Sequence, residues 1–122
     1  EAIEIAARNI KSAKLMKHIV LEKKYFDEQE CKSGNGVIIM NPPYGERLKE
    51  EDLNQFYSEI GDTLKTNFTG FDAWILSASM SSMKKIGLKT SKRLTLFNGA
   101  LECKYHKYEL YRGTKKKLHD ED

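Results

Sequence analysis

A chain of 122 residues, 39% hydrophobic and 32% charged, has the size and make-up of one globular domain able to bury about two-thirds of its unfolded surface. No apolar run approaches the ~18–20 residues needed to cross a bilayer, and none of the opening residues reads as a signal peptide, so no membrane partner is expected and the cytosol is the default compartment. Two cysteines without CxxC spacing, Cys31 and Cys103, and three scattered histidines, His18, His106 and His119, form neither a metal-ligand pattern nor a disulfide framework.

The net charge is +3, but residues 84–117 carry eleven Lys or Arg against two acids, Glu102 and Glu109. That asymmetry suits a polyanion such as RNA or DNA, and equally a solvated face with a charged tail.

The chain opens at helical spacing, with Ile3, Ala6, Ala7 and Ile10 on one face. The lack of a starting methionine reads as the cut edge of a longer protein. Residues 18–21 are apolar and β-branched in part, and predict a strand. A polar, irregular stretch follows to Asn35, with Tyr25 and Phe26 as its large apolar residues. Four apolar residues, Val37-Ile38-Ile39-Met40, then suit a strand buried on both faces.

After the tetrapeptide Asn41-Pro42-Pro43-Tyr44, Gly45, Glu46 and Arg47 lead into a helix carrying Leu53, Phe56, Tyr57, Ile60 and Leu64 at helical spacing to about Lys65. Gly61 inside it costs helix propensity and marks close packing against the sheet. Residues 71–77 read as the next buried strand, with Trp74 in the core. A short helix spans about 82–86 and ends at Gly87. Two alternating runs flank Asn98-Gly99 and predict a β-hairpin with a tight primed turn. Leu94, Leu96, Leu101, Cys103 and Tyr105 share one face of it, and a phase slip between Tyr105 and Tyr108 predicts a bulge. The domain is expected to end near residue 113, with 114–122 a disordered charged tail. The order of elements predicts an α/β sheet with an antiparallel finish.

The tetrapeptide at the end of the 37–40 strand is the chemically pointed feature. Asn41 offers a carbonyl oxygen that accepts from an N–H. Pro42 has no N–H of its own but still offers a carbonyl, so two oxygens can converge on one NH2 group. The prolines hold the preceding residues extended, which stiffens the cup before anything binds. Tyr44 offers a face for a base, an interaction of roughly 1–3 kcal/mol. Ligands of open α/β sheets sit at the carboxyl ends of strands. The same four residues also serve as a plain strand-ending turn.

The cup resembles that of the class I S-adenosylmethionine-dependent methyltransferases that modify exocyclic amines. The longer string Asn41-Pro42-Pro43-Tyr44-Gly45-Glu46-Arg47-Leu48 is more specific. With Gly61, Ile86-Gly87-Leu88-Lys89 and Asn98-Gly99-Ala100-Leu101-Glu102-Cys103, it is similar to the ribosomal RNA guanine-N2 methyltransferases with a THUMP domain, often labelled adenine-specific DNA methylases. The likeness runs from Ala2 to about Leu110.

It implies a Rossmann-like fold that lacks its first two strands and ends in an antiparallel hairpin, S-adenosylmethionine as cofactor and ribosomal RNA as partner. Asn41 and the Pro42 carbonyl would hold the target amine, with Pro43 and Tyr44 completing the cup. Asp27 is the nearest carboxylate to the place of the acid that reaches the cofactor's adenine, though it also reads as an ordinary loop acid. Beside the resemblance, the residues themselves offer Arg47 as a phosphate contact or, equally, an anchor of the loop through a nearby acid, and Lys84, Lys85, Lys89, Lys92 and Arg93 as an RNA-facing strip or a solvated face. The family's main cofactor cradle precedes this segment, so the chain alone is expected to bind the cofactor weakly and not to turn over. Four strands would stay contiguous, leaving an open edge at residues 37–40 for the 18–21 strand, the first helix or a second copy of the chain. An adenine-N6 or protein-glutamine methylase shares the cup, and a non-catalytic nucleic-acid-binding module would use it as a turn.

Overall fold

The computed structural model of the chain describes residues 1–31, 35–44 and 48–111. Arg47 and the charged tail lie outside them. Helix α1 spans Ala2–Ser12, strand β1 Val37–Met40, helix α2 Glu50–Asn67, strand β2 Asp72–Ser77, helix α3 Met80–Met83, strand β3 Lys92–Asn98 and strand β4 Leu101–Glu109. Short 3-10 turns occupy Phe26–Glu28 and Lys84–Ile86.

The sheet has four strands in the order β1-β2-β4-β3. β1 runs parallel to β2, with Met40 opposite Ile75. β4 pairs antiparallel with both β2 and β3. This is the expected α/β sheet with an antiparallel finish. β1 has β2 as its sole strand neighbour among the described residues, so its outer edge is open.

One face of the sheet carries the core. Tyr57, Ile60 and Leu64 of α2 and Met83 and Ile86 beyond β2 pack on Ala73, Ile75 and Tyr108. Ile60, Leu64, Ile75, Met83 and Ile86 each contribute roughly 1.5–3 kcal/mol on burial. Three acids, Glu50, Glu51 and Asp52, occupy the first turn of α2 and Lys65 its last, matching the helix dipole. Gly61 faces the 3-10 turn, not the sheet as expected. A Cβ there would stand 1.8 Å from the Ile86 carbonyl oxygen. Gly87, at φ 73°, ends that turn in the left-handed region that favours glycine.

The opposite face is largely uncovered. Val37 and Ile39 are 60% and 73% exposed, so β1 is covered on one side only, against the expectation of burial on both. Trp74 also lies on this face, outside the core, stacked on Tyr105 at 4.8 Å with the Lys107 ammonium 5.9 Å from its ring.

Two further expectations need correction. Residues 18–21 form no strand: Lys14 turns the chain at φ 62°, and the N–H groups of His18 and Ile19 bond back to the Leu15 carbonyl. These bonds close a turn where a strand would need an extended partner. The hairpin holds one register from Lys92↔Lys107 to Asn98↔Leu101 with no bulge. The apparent phase slip arises because Cys103 is buried on one face and His106 and Tyr108 on the other. The two-residue turn is Gly99-Ala100, one position beyond Asn98-Gly99. Gly99 at φ 64° takes the first central position, as a type II′ turn requires.

Candidate active site

The carboxyl ends of the parallel strands β1 and β2 lie side by side, and Asn41–Tyr44 leaves the first of them. Asn41 is exposed, Pro42 buried, Pro43 exposed and Tyr44 half-buried. Among the described residues no hydrogen bond engages the Asn41 amide at the strand end.

The loop is tied down from below. Tyr57, completely buried on α2, donates its hydroxyl to the Pro43 carbonyl at 2.9 Å. Its oxygen lies 2.7 Å from Ser77 Oγ at the end of β2. With its single proton committed to Pro43, Tyr57 accepts from Ser77. Ser77 Oγ accepts in turn from the Ser79 N–H at 3.0 Å. Burial holds the Tyr57 hydroxyl above its ordinary pKa, the bond to Ser77 opposing this and the Tyr44 phenol adding to it, so it remains a donor at neutral pH. A chain of polar contacts thus links the cup to α2, β2 and α3.

The hairpin closes the site from the other side. Ser77, Lys104 and Thr95 stand level across β2, β4 and β3, so residues 96–98 project past the end of β2. At their tip the Asn98 amide donates to the Tyr44 hydroxyl at 3.4 Å.

Tyr57, Ser77 and Asn98 were not singled out from the sequence. The available signal was a tyrosine on the apolar stripe of a helix, whose hydroxyl needs a partner when buried.

The basic residues divide. Lys84, Lys85, Lys89, Lys92 and Arg93 are all exposed. Lys84, Lys89 and Arg93 line one cleft on the α2 side of the sheet, whereas Lys92 pairs with Lys107 on the opposite face. Lys104, which the sequence reading passed over, completes the cleft.

Asp27 is not brought to the cup. It is exposed in the 3-10 turn that Asn67, the last residue of α2, holds through bonds to the carbonyls of Asp27 and Gln29 at 3.3 and 2.9 Å. Asn67 lies ten residues beyond Tyr57 on the same helix, about 15 Å farther along its axis. The structure thus places Asp27 at the far end of α2 from the cup.

An α/β sheet with the Asn41–Tyr44 turn at adjoining strand ends is compatible with a methyltransferase-type domain. The RMKL-like, methyltransferase domain family matches residues 1–107, and the chain belongs to that family. "Putative RNA methyltransferase slr0064" of Synechocystis is 43% identical over 112 residues, covering 91% of this chain and 29% of that protein. "Ribosomal RNA large subunit methyltransferase K/L" of Methylococcus capsulatus is 37% identical over 110 residues, covering 89% and 15%. The crystal structure of SMU.472, "a putative methyltransferase complexed with SAH", superposes with a TM-score of 0.83 at 29% identity, covering 92% of this chain and 30% of that one. The chain thus spans less than a third of the length of these relatives.

Proposed function

We propose that this chain supplies the amine-holding part of an enzyme that methylates an exocyclic amine of a nucleobase, with guanine N2 of ribosomal RNA as the target. The observation that carries this reading is the exposed Asn41 amide, unbonded among the described residues, at the lip of a cup whose backbone is bonded from beneath by Tyr57. Membership of a methyltransferase family and relatives named for ribosomal RNA support the substrate class.

Acceptor oxygens at a strand end suit an amine nucleophile, the reactant on which S-adenosylmethionine would act. That cofactor, when bound, offers an electrophilic methyl group on sulfur. Asn41 Oδ1 and the Pro42 carbonyl accept the two amine hydrogens, turn the nitrogen lone pair outward and stabilise the positive charge that grows on nitrogen. Tyr44 stacks on a base drawn out of its strand. The exposed Lys84, Lys89 and Arg93, which share one cleft, give the phosphate backbone its counter-charge.

The test uses the protein expressed from the complete reading frame, ribosomal RNA and methyl-labelled S-adenosylmethionine. Asn41→Ala should lower methyl transfer by at least about 100-fold with RNA affinity retained, and digestion should yield N2-methylguanosine. A normal rate in the variant overturns the cup assignment. Label on adenine N6 or on protein glutamine overturns the target.

A further inference from the structure

The cleft between the α3 region and the far half of the sheet is separate from the cup and has a composition of its own. Its volume is about 530 Å3, enough for a whole nucleotide rather than a bare phosphate. Arg93 and Lys104 sit on one face of the hairpin at diagonal positions, since Arg93 stands opposite His106 and Lys104 opposite Thr95. Diagonal neighbours are about 7–8 Å apart, within joint reach of one anion. The Arg93 Nε donates to Thr90 Oγ1 at 2.8 Å and the Lys104 ammonium to Thr95 Oγ1 at 2.9 Å. Both cations are thus oriented by neutral hydroxyls.

Lys84 and Lys89 add two more positive charges at the rim. Among the described residues no carboxylate forms an ion pair with Lys84, Lys89 or Arg93, and Lys104 has only Glu102 at 3.9 Å. Met80 and Leu88 give the cleft an apolar wall. His106 on its floor is held below the ordinary histidine pKa, first by burial and then by Arg93 and Lys104. Burial and the two cations thus favour the neutral ring.

We propose that this cleft takes one nucleotide of the RNA substrate, outside the methylation cup, with its phosphate between Arg93 and Lys104 and its sugar and base against Met80 and Leu88. The inference rests on the reading of the protein as an RNA methyltransferase and deepens it. The cleft lies over β4 and β3, two to three strand spacings from β1, or about 10–14 Å. A strand whose target base enters the cup therefore passes the cleft within a few nucleotides. The two sites together would fix the register in which the RNA presents its base.

The experiment compares Arg93→Gln, Lys104→Gln and the double variant in the protein from the complete reading frame, with Lys65→Gln as a charge control at the far end of α2. A single-stranded RNA containing the target is the substrate, and AMP is the competing free nucleotide. The double variant should raise KM for RNA about tenfold with kcat within about twofold, the mark of lost uniform binding. It should also reduce the salt slope of RNA affinity by about one to two. AMP should compete weakly with RNA in the native protein and no longer in the double variant. A double variant indistinguishable from Lys65→Gln overturns the cleft while leaving the cup standing. Tight AMP binding that RNA cannot displace assigns the cleft to a free nucleotide and likewise overturns it. Loss of the proposed methyl transfer in the native protein would instead sink the functional reading, which the RNA-affinity data would register separately.

Discussion

Gly61→Ala sets two known effects against each other. In an exposed helix interior, alanine for glycine contributes roughly 1 kcal/mol of stability. At Gly61 the new methyl would lie 1.8 Å from the Ile86 carbonyl oxygen and 2.8 Å from its carbon, where ordinary contact begins near 3.4 Å. The backbone of the 3-10 turn must therefore retreat by more than an ångström. That turn carries Ile86, 2% exposed, and adjoins Met83, 4% exposed. Forcing a methyl into such a seam costs about 1–3 kcal/mol, and loosening a buried isoleucine removes part of its roughly 1.5–3 kcal/mol. After the propensity gain the net loss is about 2 kcal/mol, a fall of roughly 6–10 °C in Tm for a domain of this length. Thermal unfolding followed by far-UV circular dichroism reads this directly. Asp62→Ala, its exposed neighbour, receives the propensity gain without the contact and should match or exceed the native Tm. A Gly61→Ala chain as stable as the native one would refute the close-packing account.

The cup and the buried phenols supply two further predictions. Tyr57→Phe removes the donor to Pro43 and the acceptor for Ser77, which should cost about 1–3 kcal/mol in denaturant unfolding. As a positioning change it should lower kcat several-fold with KM for RNA within about twofold, and an unchanged kcat would show that the tether does not hold the cup. Burial pushes the Tyr108 phenol up to about 12, against the opposing pull of Arg93. The folded state therefore keeps a proton that the unfolded chain releases near pH 10. Its contribution to stability is complete below pH 10 and is lost as pH rises toward 12, so alkaline unfolding should flatten in Tyr108→Phe, and an identical pH profile would refute the assignment.

What the sequence made legible follows from what fixes each element. The 37–40 strand, α2 and the β3–β4 hairpin are set by local patterns and turn chemistry, and the structure contains all three. The tetrapeptide was legible because two successive prolines restrict the backbone whatever surrounds them. Residues 18–21 misled because apolar, β-branched composition states a preference that only a neighbouring strand can satisfy, and none accompanies them among the described residues. The bulge at 105–108 was read from a change of buried parity. Burial on alternate faces produces the same pattern in an unbroken ladder. Sequence spacing alone does not say which end of α2 the loop carrying Asp27 reaches, and the structure places it beside Asn67.

Tyr57 marks the deeper limit, because its role depends on a distance no local pattern encodes. It lies fourteen residues from Pro43, about two turns into the helix that returns beneath the strand ends. Only that return brings a core side chain under the cup. The consequence is chemical as well as architectural. A loop held by its own amide would have its acceptor occupied by the scaffold. Here the scaffold grips the Pro43 carbonyl instead, and among the described residues no hydrogen bond occupies the Asn41 side chain. The stiffness of the cup and the availability of its acceptor thus come from different residues, so a change at Tyr57 and a change at Asn41 should damage catalysis in different ways, the first through the precision of the pose and the second through the amine contact itself.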